Sequence, residues 1–156
     1  MELLTYEKSY EKKIKDYHLS AEQLRFTGTP KECVALSETD GDRHCILGLV
    51  NHELVTFFVL HENEGVKSYA ENPHAMLLRA FSTDLHHQGK GYAKQALLQL
   101  PAFIKEQFPH IDQVVLAVNV KNTAAQSLYK KCGYVDEGVR KMGRKGELVI
   151  MNYYFN

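Results

Sequence analysis

The segment VVLAVNVKNTAAQSLYKKCGY, residues 114–134, carries the most structural information in this chain. Its opening run, Val114 to Val118, is near-continuously apolar, as in a strand covered on both faces. From Asn122 to Lys131 the pattern becomes that of a helix, and Gly133 stops it. Such a strand needs a layer on each side of its sheet, which points to an α+β, or mixed α/β, architecture with helices on both faces.

Upstream, Ala93, Leu97, Leu100, Ile104 and Phe108 share one stripe and predict a helix from about Gly91 to Phe108. Pro101 lies inside it. Its missing N–H is expected to kink or shorten the second half, at roughly 3 kcal/mol in a regular interior. AMLLRAFST, 75–83, reads as a strand, so the helix must join two parallel strands by a right-handed crossover. HCILGLV (44–50) and LVTFFVL (54–60), linked by Asn51-His52-Glu53, read as a hairpin. A helix is expected over 6–17, from Tyr6, Tyr10, Ile14 and Tyr17. Two short helices should follow it, each announced by a capping box, Ser20 with Gln23 and Thr29 with Glu32. Downstream, YVDEGVRKM and ELVIMNYYF close the chain as a hairpin around Gly143-Arg-Lys-Gly146.

A length of 156 residues favours one domain spanning 1–156. Nineteen basic residues balance nineteen acidic ones, and the pI is near 7.1. Nucleic-acid binding is therefore not expected, because a phosphate backbone demands a concentrated basic excess. No apolar run approaches a membrane span, and MELLTYEKSYEKK lacks the order of a secretory signal. Three widely spaced cysteines, Cys33, Cys45 and Cys132, with no CxxC, suit reduced thiols in a cytoplasmic protein.

Gly89-Lys-Gly91 opens the helix after strand 75–83. The first turn of a helix presents backbone N–H groups without intrahelical acceptors, and the peptide dipoles add positive charge there. Glycines let an anion reach that main chain, so the turn is a candidate phosphate or pyrophosphate cradle, with Lys90 and Lys94 adding charge. No GxxxxGK[ST] string exists, and Gly89-Lys-Gly91 is followed by Lys94 where a dinucleotide fold needs glycine. Both common nucleotide readings fail.

Two spaced motifs identify a different family. Leu116, Val118, Asn122, Ala125, Leu128, Tyr129, Lys131, Gly133 and Tyr134 carry the spacing LxVxxxNxxAxxLYxKxGY, and Gln88-Gly-Lys-Gly91-Tyr-Ala93 fits [Arg/Gln]-x-x-Gly-x-[Gly/Ala]. In that order and separation they resemble the GNAT superfamily of N-acetyltransferases, closely over about residues 75–134. The resemblance implies a mixed, mostly antiparallel sheet whose two parallel strands splay apart. It implies acetyl-CoA as cofactor, with backbone N–H groups from Gln88 through Ala93, namely Gln88, Gly89, Lys90, Gly91, Tyr92 and Ala93, on its pyrophosphate and Lys94 adding charge. The pantetheine arm would run beside Phe81, Ser82 and Thr83, and Asn122 would bond its far side. It further implies transfer of an acetyl group to a primary amine of a small molecule or peptide by direct attack in a ternary complex. A homodimer is compatible with it, and the alternative is an acyl-CoA-binding regulatory module without turnover.

Tyr129 is expected to act as the general acid that protonates the departing thiolate, as the helix tyrosine of this motif does in the family. The strand glutamate that many relatives use as base is missing from AMLLRAFST. Glu62, Glu71, His74, Asp84 and a water chain remain open for that task. Arg79, on a central strand, is expected to reach the groove rim and pair with an acidic residue, the alternative being orientation of an anionic acceptor group. His86 and His87 read as solvent-facing loop histidines, since adjacent residues rarely aim both rings at one ion, and no metal site is expected. Cys132 reads as a packing residue. The acceptor groove is expected to form from the loop around 18–30, the 61–74 loop and the terminal hairpin.

Overall fold

The computed structural model describes residues 1–155. Seven strands form one sheet in the order β1-β2-β3-β4-β5-β7-β6. These are β1 (Glu2–Thr5), β2 (Arg43–Val50), β3 (Glu53–His61), β4 (Ala75–Thr83), β5 (Gln113–Asn119), β6 (Val135–Gly143) and β7 (Gly146–Tyr154). Every neighbouring pair is antiparallel except β4 with β5. The mixed, mostly antiparallel sheet expected from the motifs is the one observed.

Five α-helices accompany it: α1 (Glu11–Lys15), α2 (Ala21–Leu24), α3 (Pro30–Thr39), α4 (Tyr92–Gln107) and α5 (Thr123–Lys131). Both capping boxes close as their sequence predicts. The Ser20 hydroxyl accepts from the Gln23 amide and the Thr29 hydroxyl from the Glu32 amide, with Pro30 at the first helical position. The β2–β3 loop is the two residues Asn51 and His52, both at positive φ (50° and 68°), the twist that a tight hairpin requires.

Three local expectations change. Residues 6–17 do not form one helix, because the Tyr6 amide donates to the Cys45 carbonyl and extends the β1 ladder. A 3₁₀ turn and the short α1 follow, burying Ile14 and Tyr17. β1 itself has no counterpart in the sequence reading, since four residues are too few for a periodicity to show. Pro101 does not shorten α4, which runs unbroken to Gln107. Ala96, Leu97, Leu100 and Ile104 are all buried along it. At about 1.5–3 kcal/mol for each fully buried large apolar side chain, their packing outweighs one lost bond.

The core lies on both sides of the sheet. Leu97, Leu100 and Ile104 of α4 pack with Phe58, Leu60 and Met76, and α5 lays Ala125, Leu128 and Tyr129 over the same cluster. Ile14, Cys33 and Val34 cover Leu47, Phe57 and Val59 on the opposite face. On that face, too, Val66 and Tyr69 cover Ala75, Leu77, Val115 and Ile150. All three cysteines are free and buried.

Candidate active site

β4 and β5 are bonded only where Ala75–Leu77 meet Gln113–Val115. Beyond that point the strands part. β4 keeps β3 as far as Thr83 and β5 keeps β7 as far as Asn119, so the opening lies between their two inner edges. A bulge sharpens it. Val59 opposes Arg79 and Phe57 opposes Ser82, which leaves Ala80 and Phe81 facing Phe58 alone, with Ala80 at φ 54°. The extra residue resets the alternation, turning Phe81 toward the α4–α5 side and Ser82 toward the Tyr17 hydroxyl at 2.8 Å. A groove of about 900 Å³ occupies the opening.

Gly89 and Gly91 stand at the groove with φ of 77° and 78°, a region that side-chain-bearing residues seldom adopt, and Gly91 is the N-cap of α4. An added Cβ at either would meet nothing within 4 Å, so the surface beside both is open. Among the described residues, the amides of Gln88 through Ala93 have no acceptor in the protein; the first intrahelical bond runs from the Gln95 amide to the Gly91 carbonyl. This is a row of backbone donors with room for an anion. Lys94 lines the groove, whereas Lys90 is in the turn but not on the wall.

Asp84 supports the turn from behind. Its buried carboxylate accepts from the amides of His18 and His86 and contacts the His87 ring at 2.8 Å. Burial alone would raise its pKa, but those three partners hold it below the usual carboxylate range. The other nitrogen of His87 reaches Glu53 at 2.8 Å. His87 is therefore a tethered wall residue and not a solvent-facing one, a role for which the sequence offers no local signal. No cluster of three or more potential metal ligands occurs among the described residues.

On the far side, Asn122 caps α5, its side-chain oxygen accepting from the Ala125 amide at 3.2 Å. Only its amide N–H groups remain for the groove. Two turns later, Tyr129 sets its ring against Phe81 (6.4 Å between centroids) and Tyr134 (5.8 Å). Burial, with a contribution from Cys132, raises the Tyr129 phenol pKa above its ordinary value. Burial likewise raises the Cys132 thiol, which suits packing and not nucleophilic attack. Of the expected cofactor-side residues, Phe81, Ser82, Thr83, Gln88, Gly89, Gly91, Tyr92, Ala93, Lys94, Asn122 and Tyr129 all line this one groove, and Lys90 does not.

The remaining wall comes from residues 22–28 and from the β6–β7 turn. Gln23 fastens the first to the end of β4 by donating to the Thr83 carbonyl at 2.8 Å. The Lys145 ammonium donates to the Arg25 carbonyl and joins the two segments over the groove. The 61–74 loop takes no part. It enters β4 at the paired end, where Val66 covers Ala75 and Leu77, while the groove opens at the other end. Glu62, Glu71, His74 and Asp84 are likewise absent from the wall. Glu62 is occupied instead by His44 and His110, each at 2.7 Å. Arg79 lines the groove, yet its partner is not acidic: its guanidinium donates to His61 Nδ1 at 3.2 Å, and His61 Nε2 faces Asp40 at 3.3 Å.

A family model described as Acetyltransferase (GNAT) family matches residues 6–134. The chain is 40% identical over 142 residues to a Bacillus subtilis (strain 168) protein named "Uncharacterized N-acetyltransferase YbbJ", covering 90% of this chain and 89% of that one. Among solved structures it is similar to AAC(6')-Ib in complex with paromomycin and acetyl-CoA, with a TM-score of 0.78 at 12% identity over 97% of this chain and 92% of that one. It is also similar to a mutant of the spermidine N-acetyltransferase SpeG from Vibrio cholerae, with a TM-score of 0.69 at 17% identity over 99% and 95% of the two chains.

Proposed function

Because the chain belongs to the GNAT acetyltransferase family, whose acyl donor is acetyl-CoA, we propose that it moves the acetyl group to a primary amine by direct attack in a ternary complex. The observation that carries this reading is the parting of β4 from β5 after Leu77 and Val115, opening onto the glycine turn. Unpaired strand edges are costly when buried, and the exposed turn leaves its amides without an acceptor in the protein. A ligand with a diphosphate and an amide-bearing arm satisfies both.

The cofactor supplies the activated thioester, and the protein supplies position and protons. Amides from Gln88 to Ala93 hold the diphosphate, with Lys94 beside them. The inner edge of β4 at Phe81, Ser82 and Thr83 bonds the arm from one side, and the Asn122 amide group donates from the other. An N–H at the Ala80 bulge would serve as donor to the thioester oxygen, where negative charge grows during attack. Holding amine and thioester together removes most of the entropic barrier, so no nucleophile of the enzyme is needed.

As the C–S bond breaks, Tyr129 would give its proton through Oη to the departing thiolate, and the proton that the acceptor nitrogen sheds on becoming an amide would restore the phenol. Burial keeps that phenol protonated at neutral pH. The same low-polarity surroundings also penalise a thiolate, so the proton moves between two groups that are both disfavoured as anions. Amine attack needs the uncharged amine. Among the described residues, Arg25, Arg79, Lys94, Arg144 and Lys145 line the groove against the single carboxylate of Glu22. That excess of positive charge disfavours an ammonium and shifts the bound amine toward its neutral form, which replaces part of the work of a strand glutamate.

The test is CoA affinity together with thiol release from acetyl-CoA, measured against a panel of amines. CoA binding with acceptor-dependent release is expected. Tight binding without release for any acceptor would favour the acyl-CoA-binding module, and absence of CoA binding would remove the proposal.

A further inference from the structure

We infer that the acceptor is a primary amine that also carries an anionic group, carboxylate or phosphate, and that Arg79 is the residue that binds that group. The inference rests on the acetyltransferase reading above. Arg79 stands on the sheet face opposite α4. Its ladder partner Val59 packs with Ile14, Cys33 and Val34, whereas α4 packs on the face that holds Leu78. The glycine turn caps α4. Arg79 is thus across the sheet from the cradle, and its charge is not needed for the diphosphate.

The guanidinium is held but not neutralised. One N–H donates to His61 Nδ1, which requires that nitrogen to be an acceptor and places the ring proton on Nε2, toward Asp40. The same Asp40 oxygen, Oδ2, is also contacted by Arg43 at 3.2 Å. The acid that would balance Arg79 is therefore reached only through a neutral ring and is shared with a second arginine. Among the described residues no carboxylate contacts Arg79. An arginine on a central strand, exposed to a groove and anchored along one edge, keeps its remaining N–H groups for a bidentate partner.

The rest of the acceptor wall agrees. Arg25, Arg144 and Lys145 stand over it, and among the described residues Glu22 is its only carboxylate. Polycationic amines would meet like charge from both the floor and the roof. An amine bearing a carboxylate or phosphate close to its nitrogen brings the complementary charge to Arg79, one residue before the bulge.

The experiment is a calorimetric titration of the CoA-saturated protein with matched pairs: L-amino acids against their α-carboxamides, O-phosphoethanolamine against ethanolamine, and spermidine as the polycation. An anionic member binding about ten-fold or more tighter than its neutral partner is expected. The carboxylate and phosphate arms identify which anion is used. In Arg79→Gln the preference disappears and in Arg79→Lys part of it returns, while the CoA dissociation constant stays within about two-fold. Equal or tighter binding of spermidine or of the neutral members, binding by no member, or a preference that survives in Arg79→Gln overturns the inference. Loss of CoA binding by the wild-type chain would instead sink the acetyltransferase reading beneath it.

Discussion

Phe81 on β4 and Tyr129 on α5 meet edge to face, their ring centroids 6.4 Å apart, across the opening between the two parallel strands. Phe81 would not be there without the Ala80 bulge, because regular alternation would turn residue 81 to the other face. The pair fixes the phenol against the same short stretch of β4 that is proposed to border the cofactor arm.

Tyr129→Phe keeps that packing and removes only the hydroxyl that carries the proton. Turnover should fall by about ten-fold to a hundred-fold while CoA affinity changes by less than about two-fold. Thiol-release kinetics and a CoA titration check this, and an equally active variant would take the acid role away from Tyr129.

Gly91 allows two substitutions to be separated. An added Cβ meets no atom, so Gly91→Ala should lose only about 1–2 kcal/mol for an L-residue held at φ 78°. Gly91→Glu adds a negative charge where a diphosphate is proposed, and CoA binding should vanish. Denaturant melts and CoA titration of both variants distinguish backbone strain from charge.

Asp84 predicts a pH dependence. Its folded pKa lies below the ordinary 3.8, so ionised Asp84 contributes stability that is fully present above that value. The contribution is lost as pH falls through the lower folded pKa. Asp84→Asn should cost about 1–3 kcal/mol at pH 7, and the gap between variant and wild type should shrink in melts run below about pH 4.

Pro101→Ala tests the helix that ignored its proline. Restoring an N–H for the carbonyl four residues earlier should raise stability by about 1–2 kcal/mol, the roughly 3 kcal/mol interior penalty less the entropy that proline removes from the unfolded chain. A rise in Tm without change in CoA affinity is expected.

What the sequence by itself determined is local. Capping boxes, apolar runs and the two spaced motifs depend on neighbours within a few residues, so Ser20, Thr29, Gly89, Gly91, Asn122 and Tyr129 were readable in place. Tertiary structure alone decided what depends on distant partners. The strand β1 exists because β2 offers it a ladder, and His87 faces the groove because Asp84 and Glu53 hold its ring. Arg79 binds His61, eighteen residues away, because adjacent antiparallel strands place both on one face. Residues 61–74 leave the groove because the gap opens at the opposite end of β4. Spacing along a chain sets which face a side chain takes, and only the closed sheet sets what it meets there.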